Sequence, residues 1–373
     1  MGFTNRELSP LDDLFLQRTY ELAARAIGST SPNPPVGAVV VRAGRVVGEG
    51  FHHRAGAAHA EPSALAQAGS QARGATLYVS LEPCRHAGRT PPCTHALLEA
   101  GVTRVVAGTR DPTPHGGGAA ELRGRGIEVV VADDAVAREL IEVFARANVS
   151  ERPYVALKMA TSLDGMIASR AGVQERLGSE AEERYVRELR TAYDAVMVGA
   201  GTVRIDDPRL TVRPPHDRAR PYVRVVACQR DAISPRSRLF AAEEAYAKTI
   251  VLAPGGLRER FDELRAVADV IDVGGPKAVA LDASEAMKAL RAHGIFSVLC
   301  EGGPKLGASL LAGALVDRVY WALTPRFLQS GHAVPVLSGA DLSHLRLRFD
   351  RVERLGPDVL ISGVPSHPEP VEG

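Results

Sequence analysis

The apolar positions along the chain change period several times, and each change marks an element. In "LDDLFLQRTYELAARAIG" (11–28), Leu14, Thr19, Leu22 and Ala26 recur at helical spacing and the run stops at Gly28, which predicts a helix. "VGAVVVR" and "RVVGEGF" flank Ala43-Gly44, the pattern of a β-hairpin. A helix near 60–68, a strand "TLYVSL", a helix "CTHALLEA" closed by Gly101 and a strand "TRVVAGT" come next. A short helix, a strand "IEVVV" and a helix near 133–147 complete this half. One hairpin followed by alternating helices and strands predicts a mixed sheet with helices on its faces.

Polar "NVSERP" (148–153) ends in proline and reads as a linker. Beyond it the alternation restarts with "YVALKMA", "DAVMVGA", "YVRVVAC", "TIVLAP", "DVIDVGG", "FSVLCEGG" and "VDRVYWAL", and helical segments fall near 180–190, 283–293 and 304–313. A second α/β domain follows from that pattern. The expected organisation is one domain over 1–148, another over 153–364 and a disordered tail, "PSHPEPVEG", over 365–373.

Composition changes this picture little. A chain of 373 residues with 45% apolar content can bury two cores. A net charge of +1, with both signs intermixed, offers no surface for a polyanion, so no nucleic-acid partner is expected. The four cysteines, Cys84, Cys93, Cys228 and Cys300, make no disulfide framework in a chain this long. The polar start "MGFTNRELSPLDD" is unlike a signal peptide, and no apolar run approaches the roughly 18 residues of a membrane span. A cytoplasmic location without a membrane partner is expected.

Chemistry concentrates at His59, Glu61, Cys84 and Cys93. Two thiolates and an imidazole are three zinc ligands and leave a fourth position for water. Water held there loses a proton near neutral pH and becomes a nucleophile. Glu61, two residues from His59, is a carboxylate outside the ligand set that can shuttle the proton. Pro62 suits a first helical turn, and Cys93 opens a helix after Pro91-Pro92, where a thiolate is favoured. H-x-E followed by P-C-x-x-C is the signature of zinc nucleobase deaminases. Here its second half is widened to Pro83-Cys84, eight residues, then Cys93. The bland alternative, two buried cysteines and a surface histidine, would leave the joint placement of H-A-E, the prolines and the helix starts to chance.

"LEPCRHAGRTPPC" resembles the bifunctional deaminase–reductases of riboflavin biosynthesis, whose usual form is LEPC-S-H-x-G-R-T-P-P-C. The resemblance extends to "PNPPVGAVVV", "GEGFHHRAGAAHAE", "RGATLYVSLEPC" and "RDPTP", and covers nearly the whole chain. It implies a cytidine-deaminase-like three-layer α/β/α domain followed by a dihydrofolate-reductase-like α/β domain. It implies one Zn2+ per chain on His59, Cys84 and Cys93, with Glu61 catalytic. It places Asn33, His52 and His86 in contact with the substrate, and Arg73 and Asp111 near the same pocket. The chain departs from the family pattern at Ser31, Pro35, Arg85 and Thr113, none of them a ligand position.

The second half has no G-x-G-x-x-G after a strand. "CEGGPKLGASLL" (300–311) instead places glycines between a strand and a helix start, where backbone N–H groups can meet a phosphate, although a plain turn reads the same way. "LKMATSLDGMIA", "GAGTVRIDDPRLTVR" and "EGGPKLGASLL" look like the reductase half of the same family. That resemblance implies NADPH contacts at Ala160, Thr202, Asp206, and Gly303, Pro304, Lys305, Leu306, Gly307, Ala308 and Ser309. It implies substrate contacts at Arg190, Leu210, Arg213 and Glu301, with the two arginines suited to a ribose phosphate. Lys158, Asp206 and Glu301 are candidates to position or protonate the opening sugar. The family's S-x-W-I-S/T stretch is replaced by "GVQERLGSEAEE" (172–183), which puts Arg176, or its neighbour Glu175 or Leu177, at the tryptophan position.

The implied substrate is 2,5-diamino-6-(5-phosphoribosylamino)pyrimidin-4-one, deaminated and then reduced by NADPH from a ribosyl to a ribityl side chain. A homo-oligomer is expected on the same ground. Two alternatives remain: a deaminase whose reductase-like half is impaired, as the altered 172–183 stretch allows, or a nucleoside or tRNA base deaminase fused to an unrelated domain.

Overall fold

Ser9 and Asp12 start the first helix by serving each other. The Ser9 hydroxyl accepts from the Asp12 amide while the Asp12 carboxylate accepts from the Ser9 amide, and Pro10 occupies the first turn. The computed structural model describes residues 8–86, 91–212, 218–243, 246–329 and 331–366. The chain divides into two units next to Ser150.

The first unit contains α1 (Pro10–Ala24), β1 (Gly37–Arg42), β2 (Arg45–Phe51), α2 (Ala60–Ala68), β3 (Thr76–Val79), α3 (Cys93–Ala100), β4 (Arg104–Ala107), α4 (Gly118–Gly124), β5 (Glu128–Val131), α5 (Ala135–Leu140) and α6 (Glu142–Asn148). Its sheet runs β2-β1-β3-β4-β5, antiparallel through the hairpin and parallel from β3 to β5. Alternate residues of each strand enter opposite cores. Ala38, Val40, Leu77, Val79 and Val105 pack with Ala64 and Leu97, whereas Val39, Val41, Tyr78 and Val106 pack with Leu16, Tyr20 and Ala137. The result is a three-layer α/β/α arrangement.

Two expectations need correction here. α1 ends at Ala24, four residues before Gly28, and Leu14 is 61% exposed. The core-facing stripe begins one residue later, at Phe15, and continues through Leu16, Thr19, Tyr20, Leu22 and Ala23. The helix expected near 133–147 is two, broken at Ile141.

α2 rests on the backbone of β2. A methyl group on Gly48 would fall 2.2 Å from the Ala64 carbonyl oxygen, and one on Gly50 would fall 2.6 Å from the Ala64 amide nitrogen. Only glycine allows that approach.

The second unit contains β6 (Tyr154–Thr161), β7 (Met166–Ala168), α7 (Glu180–Thr191), β8 (Ala195–Gly199), α8 (Ala200–Asp206), β9 (Val223–Ala227), β10 (Ile250–Pro254), β11 (Asp269–Val273), α9 (Ala283–Ala292), β12 (Ser297–Cys300), α10 (Pro304–Ala312), β13 (Arg318–Leu323), β14 (Val334–Pro335), β15 (Arg346–Leu355) and β16 (Asp358–Ser366). Its nine-stranded sheet runs β11-β10-β9-β8-β12-β6-β13-β16-β15. The first seven in that order are parallel, and the last two close it as an antiparallel hairpin. The central parallel strands are buried on both faces, which is why they read as nearly continuous apolar runs, while the edge strand β11 is partly exposed. A largely parallel sheet flanked by helices makes this the second α/β domain that the sequence pattern predicts.

The β15–β16 hairpin and α8 were not expected. Because β16 reaches Ser366, any disordered tail begins later than residue 365, and residues 367–373 lie outside the described residues. The expected linker is also shorter. Asn148 closes α6, and the Arg152 guanidinium is bound by the Asp317 carboxylate at 2.6 and 2.9 Å.

Candidate functional site

The first site is assembled by two helix starts and one loop. His59 is the N-cap of α2, Cys93 is the first residue of α3, and Cys84 follows β3 after Pro83. His59 Nδ1 lies 3.3 Å from Cys93 Sγ and 3.6 Å from Cys84 Sγ. Among the described residues these three form a metal-binding cluster, with their ligand atoms within 4.8 Å of one another. A tetrahedral zinc with bonds of about 2.1–2.3 Å needs ligand atoms roughly 3.5–3.8 Å apart, so the donor set fits zinc. The Cys93 amide donates to Cys84 Sγ at 3.4 Å. Hydrogen bonds from Cys93, and then from His59, lower the Cys84 pKa despite burial, which raises it. Cys84 is therefore the readier thiolate.

Glu61 lies in the first turn of α2, 4% exposed, beside the cluster. Burial, and then the nearby Cys84 charge, push its pKa up to about 7. A carboxyl group poised there can both take and give a proton.

His52 is buried, and its two ring nitrogens have different partners. Nδ1 donates to the Ala58 carbonyl at 3.0 Å, so Nε2 accepts from the Asn33 side-chain amide at 3.1 Å. Its ring stands edge-on to His59, with centroids 5.2 Å apart. Burial lowers its pKa, which keeps it neutral. His86 is exposed and stacks on His115 at 4.5 Å, a partner the motifs did not reveal.

Arg73 is a correction. It lies against Gly101 at the C-terminal end of α3, while the metal ligand Cys93 is at the N-terminal end, roughly 10 Å away along the helix. Asp111 serves its own loop, where its carboxylate accepts from the Thr113 amide. Sequence reasoning also missed Glu82. Its buried carboxylate accepts from the Asp111 and Ala119 amides at 3.1 and 2.8 Å, tying the loop after β4 and the start of α4 to the LEPC segment. A buried acid inside a metal-binding motif was the available signal.

The second site is a cavity of about 960 Å³ at the carboxyl ends of the parallel strands. Ala160, Thr202, Asp206, Gly303, Pro304, Lys305, Leu306, Gly307 and Ser309 all line it. Gly302 and Gly303 hold φ near +88° and +84° directly before α10, leaving the backbone N–H groups of its first turn open to a phosphate. Those glycines, that helix start and the elongated wall fit a nicotinamide dinucleotide. Burial raises the Asp206 pKa.

Several expected contacts are placed differently. Ala308 is fully buried and does not line the cavity. Leu210, at φ +52°, packs into the core with Val198 and Val203. Both turn away because core packing on the far side of their elements claims them. Arg190 is not a lining residue. Its guanidinium is bound by Glu301, which does line the cavity, and by the Thr211 carbonyl at 2.9 Å. Arg213 lies outside the described residues. Lys158 Nζ contacts the carboxylate of Glu182 on α7, and both side chains are mostly buried. The altered stretch forms wall from Gly172 to Gly178. Arg326 anchors it through Glu175 at 3.0 Å and the Arg176 carbonyl at 2.8 Å.

Comparison with known proteins agrees with this division. Residues 10–109 match the "cytidine and deoxycytidylate deaminase zinc-binding region" and residues 153–361 match the "RibD C-terminal domain". The riboflavin biosynthesis protein RibD of Aquifex aeolicus is 38% identical over 94% of this chain and 98% of its own length. That of Mycobacterium tuberculosis is 36% identical over 94% and 95%. The solved structure of Acinetobacter baumannii RibD, form 1, superposes with a TM-score of 0.83 at 33% identity, over 96% of this chain and 99% of that one. A Thermotoga maritima structure described as a diaminohydroxyphosphoribosylaminopyrimidine deaminase/5-amino-6-(5-phosphoribosylamino)uracil reductase gives 0.81 at 34% identity, over 95% and 99%.

Proposed function

The chain belongs to the RibD family of riboflavin biosynthesis, in which one chain carries a deaminase and a reductase, and from that premise we propose how its residues share the two reactions. The first unit hydrolyses the 2-amino group of 2,5-diamino-6-(5-phosphoribosylamino)pyrimidin-4-one. The second reduces the ribosyl side chain of the product to ribityl with NADPH. Neither the impaired-reductase alternative nor the nucleic-acid deaminase finds support, because both halves match one family from end to end.

His59, Cys84 and Cys93 hold zinc, which when bound supplies an acidified water as the nucleophile. Glu61 accepts a proton from that water and delivers it to the departing amino nitrogen, so that water and amine leave as carbonyl and ammonia. Asn33 and His52 act as a pair. The Asn33 amide fixes the His52 tautomer, and together they hold the edge of the pyrimidine ring, with His86 at the rim.

In the second unit, the backbone from Gly303 to Gly307, with Thr202 and Ser309, seats NADPH, which supplies the hydride. The hydride goes to C1′ of the ribose as its bond to the ring oxygen breaks. Lys158, oriented by Glu182, donates the proton that the ring oxygen needs. Glu301 faces the sugar and is itself held by Arg190. A homo-oligomeric state and a cytoplasmic location belong to this proposal and rest on the family resemblance.

The observation that carries the reading is the buried Glu61 beside three zinc donors within 4.8 Å of one another. The test follows ammonia release and nicotinamide absorbance together on the diaminopyrimidine ribotide. Both should change in the wild type. Glu61→Gln should keep its zinc, lose ammonia release by about 10²- to 10⁴-fold and still reduce the deaminated ribotide. Ammonia release at the wild-type rate from this variant would remove Glu61 from the mechanism.

A further inference from the structure

The cavity of the second unit is walled by several cations, and among the described residues all but three are engaged. Lys158 is held by Glu182, and Arg176 is paired with Glu183. Arg204 donates to the carbonyls of Asp231 at 2.8 Å and Ala232 at 3.3 Å. Arg170, Arg230 and Lys305 make no hydrogen bond or ion pair with any described residue, and Lys305, in the first turn of α10, belongs to the phosphate cradle. Their settings differ.

Arg230 sits on the short loop after β9, and the residues on both sides of it are pinned. The Gln229 side chain donates to the Leu281 carbonyl at 3.2 Å and accepts from the Leu281 amide at 3.1 Å. On the other side, Arg204 grips the carbonyls of Asp231 and Ala232. The loop is thus immobilised twice around one unpaired guanidinium on the cavity wall. An unpaired cation on a braced backbone is preorganised for an anion, since little ordering remains to be done on binding.

Its place along the cavity identifies the anion. The groups suited to the sugar, Lys158 and Glu301, sit on β6 and just after β12, and the phosphate cradle is Gly302-Gly303 before α10. In the sheet order β9-β8-β12-β6, Arg230 stands at the far end, three strand spacings from β6. That is roughly 14 Å, enough to place a pyrophosphate between the two ends. With the nicotinamide at Lys158 and the pyrophosphate at Gly303, the adenosine end falls beside Arg230. From this we infer that Arg230 pairs with the 2′-phosphate of NADPH and is the residue by which this chain distinguishes NADPH from NADH, Gln229 and Arg204 acting as positioning residues. The inference rests on the second unit being the NADPH site.

The experiment measures dissociation constants of NADPH and NADH on the purified full chain by nicotinamide fluorescence and by calorimetry, without turnover. Wild type should prefer NADPH. Arg230→Ala should weaken NADPH by on the order of 10- to 100-fold, the loss of one charge-assisted contact, and leave NADH unchanged. Arg230→Glu should reverse the preference. Arg170→Ala should leave the ratio as in wild type. Adenosine 2′,5′-bisphosphate against AMP repeats the comparison without nicotinamide and should show the same loss. An unchanged ratio in both Arg230 variants, or a ratio that moves with Arg170 instead, overturns the assignment. A wild type that binds neither dinucleotide would instead overturn the cofactor reading on which it rests.

Discussion

Arg190 and Glu301, 111 residues apart in sequence, are joined by two parallel hydrogen bonds, with Nη2 of the arginine 2.6 Å from Oε2 of the glutamate. Both side chains are mostly buried. The glutamate's carboxylate is thereby held at the cavity wall in one orientation, and the arginine is largely used up in holding it. Of the two residues expected to meet the substrate, Glu301 lines the cavity and Arg190 holds it there.

Removing either partner strands a charge in a mostly buried place. Arg190→Ala and Glu301→Ala should each destabilise the second unit by about 3 kcal/mol, roughly 6–12 °C in its melting transition. The double variant Arg190→Met/Glu301→Leu should regain most of that stability without regaining NADPH oxidation. Calorimetric melting of the three variants checks this. Additive losses in the double variant would show that the pair does not act as a unit.

Gly118 opens α4 against the segment that carries a metal ligand. A methyl group there would lie 1.8 Å from the carbonyl oxygen of Pro83, which precedes Cys84. Gly118→Ala should therefore shift Cys84 and weaken zinc by about 10- to 100-fold in a chelator competition. Gly124→Ala, at the other end of the same helix and with open space around it, should leave zinc affinity as it is.

Asp12 gives the first unit its acid limit. Burial alone would raise its pKa, but hydrogen bonds from Arg104, Tyr78 and Ser9 outweigh that and hold it well below the ordinary carboxylate range. A carboxylate whose folded pKa is depressed stabilises the fold above its unfolded pKa, 3.8 here, and loses that contribution as pH falls further. Asp12→Asn should cost about 2–3 kcal/mol at pH 7, and the gap to wild type should close as pH drops below about 4. Urea unfolding at pH 7, 5 and 3 measures it. A gap independent of pH would assign the loss to packing.

The wall that replaces the family's tryptophan is held by Arg326 more than by Arg176. The Arg176 side chain is 63% exposed and its partner Glu183 36%, so that ion pair contributes at most about 1 kcal/mol. Arg176→Ala should leave the melting temperature within roughly 3 °C of wild type. Arg326→Ala removes the anchors on Glu175 and on the Arg176 carbonyl and should raise KM for NADPH about 3- to 10-fold with little change in kcat. Steady-state kinetics on both variants separates the two contributions.

How far these features could be read in advance depended on the distance over which each is encoded. The zinc donors were legible because every ligand carries its own local marker, H-A-E before a helix and prolines before each cysteine. The central parallel strands were legible because burial on both faces leaves mostly apolar residues. The β15–β16 hairpin was hidden because an edge strand reading "RLRFDRVERL" exposes most of its side chains and shows no apolar alternation. Leu14 misled because it is one residue out of phase with the stripe that Phe15 begins. The Arg190–Glu301 pair, the Glu82 staple and the brace around Arg230 join residues 27 to 111 positions apart, and no local pattern announces such partners.

The seating of α2 on Gly48 and Gly50 bears on how the ion comes and goes. With its backbone in contact with β2, that helix cannot slide or roll without lifting off the sheet, so His59 keeps its place throughout ordinary thermal motion. Cys93 is fully enclosed at the start of α3, whereas Cys84 is only half-buried. The site therefore has two fixed jaws and one door. A chelator should meet a bound ion first on the side of Cys84, the less enclosed of the two thiols.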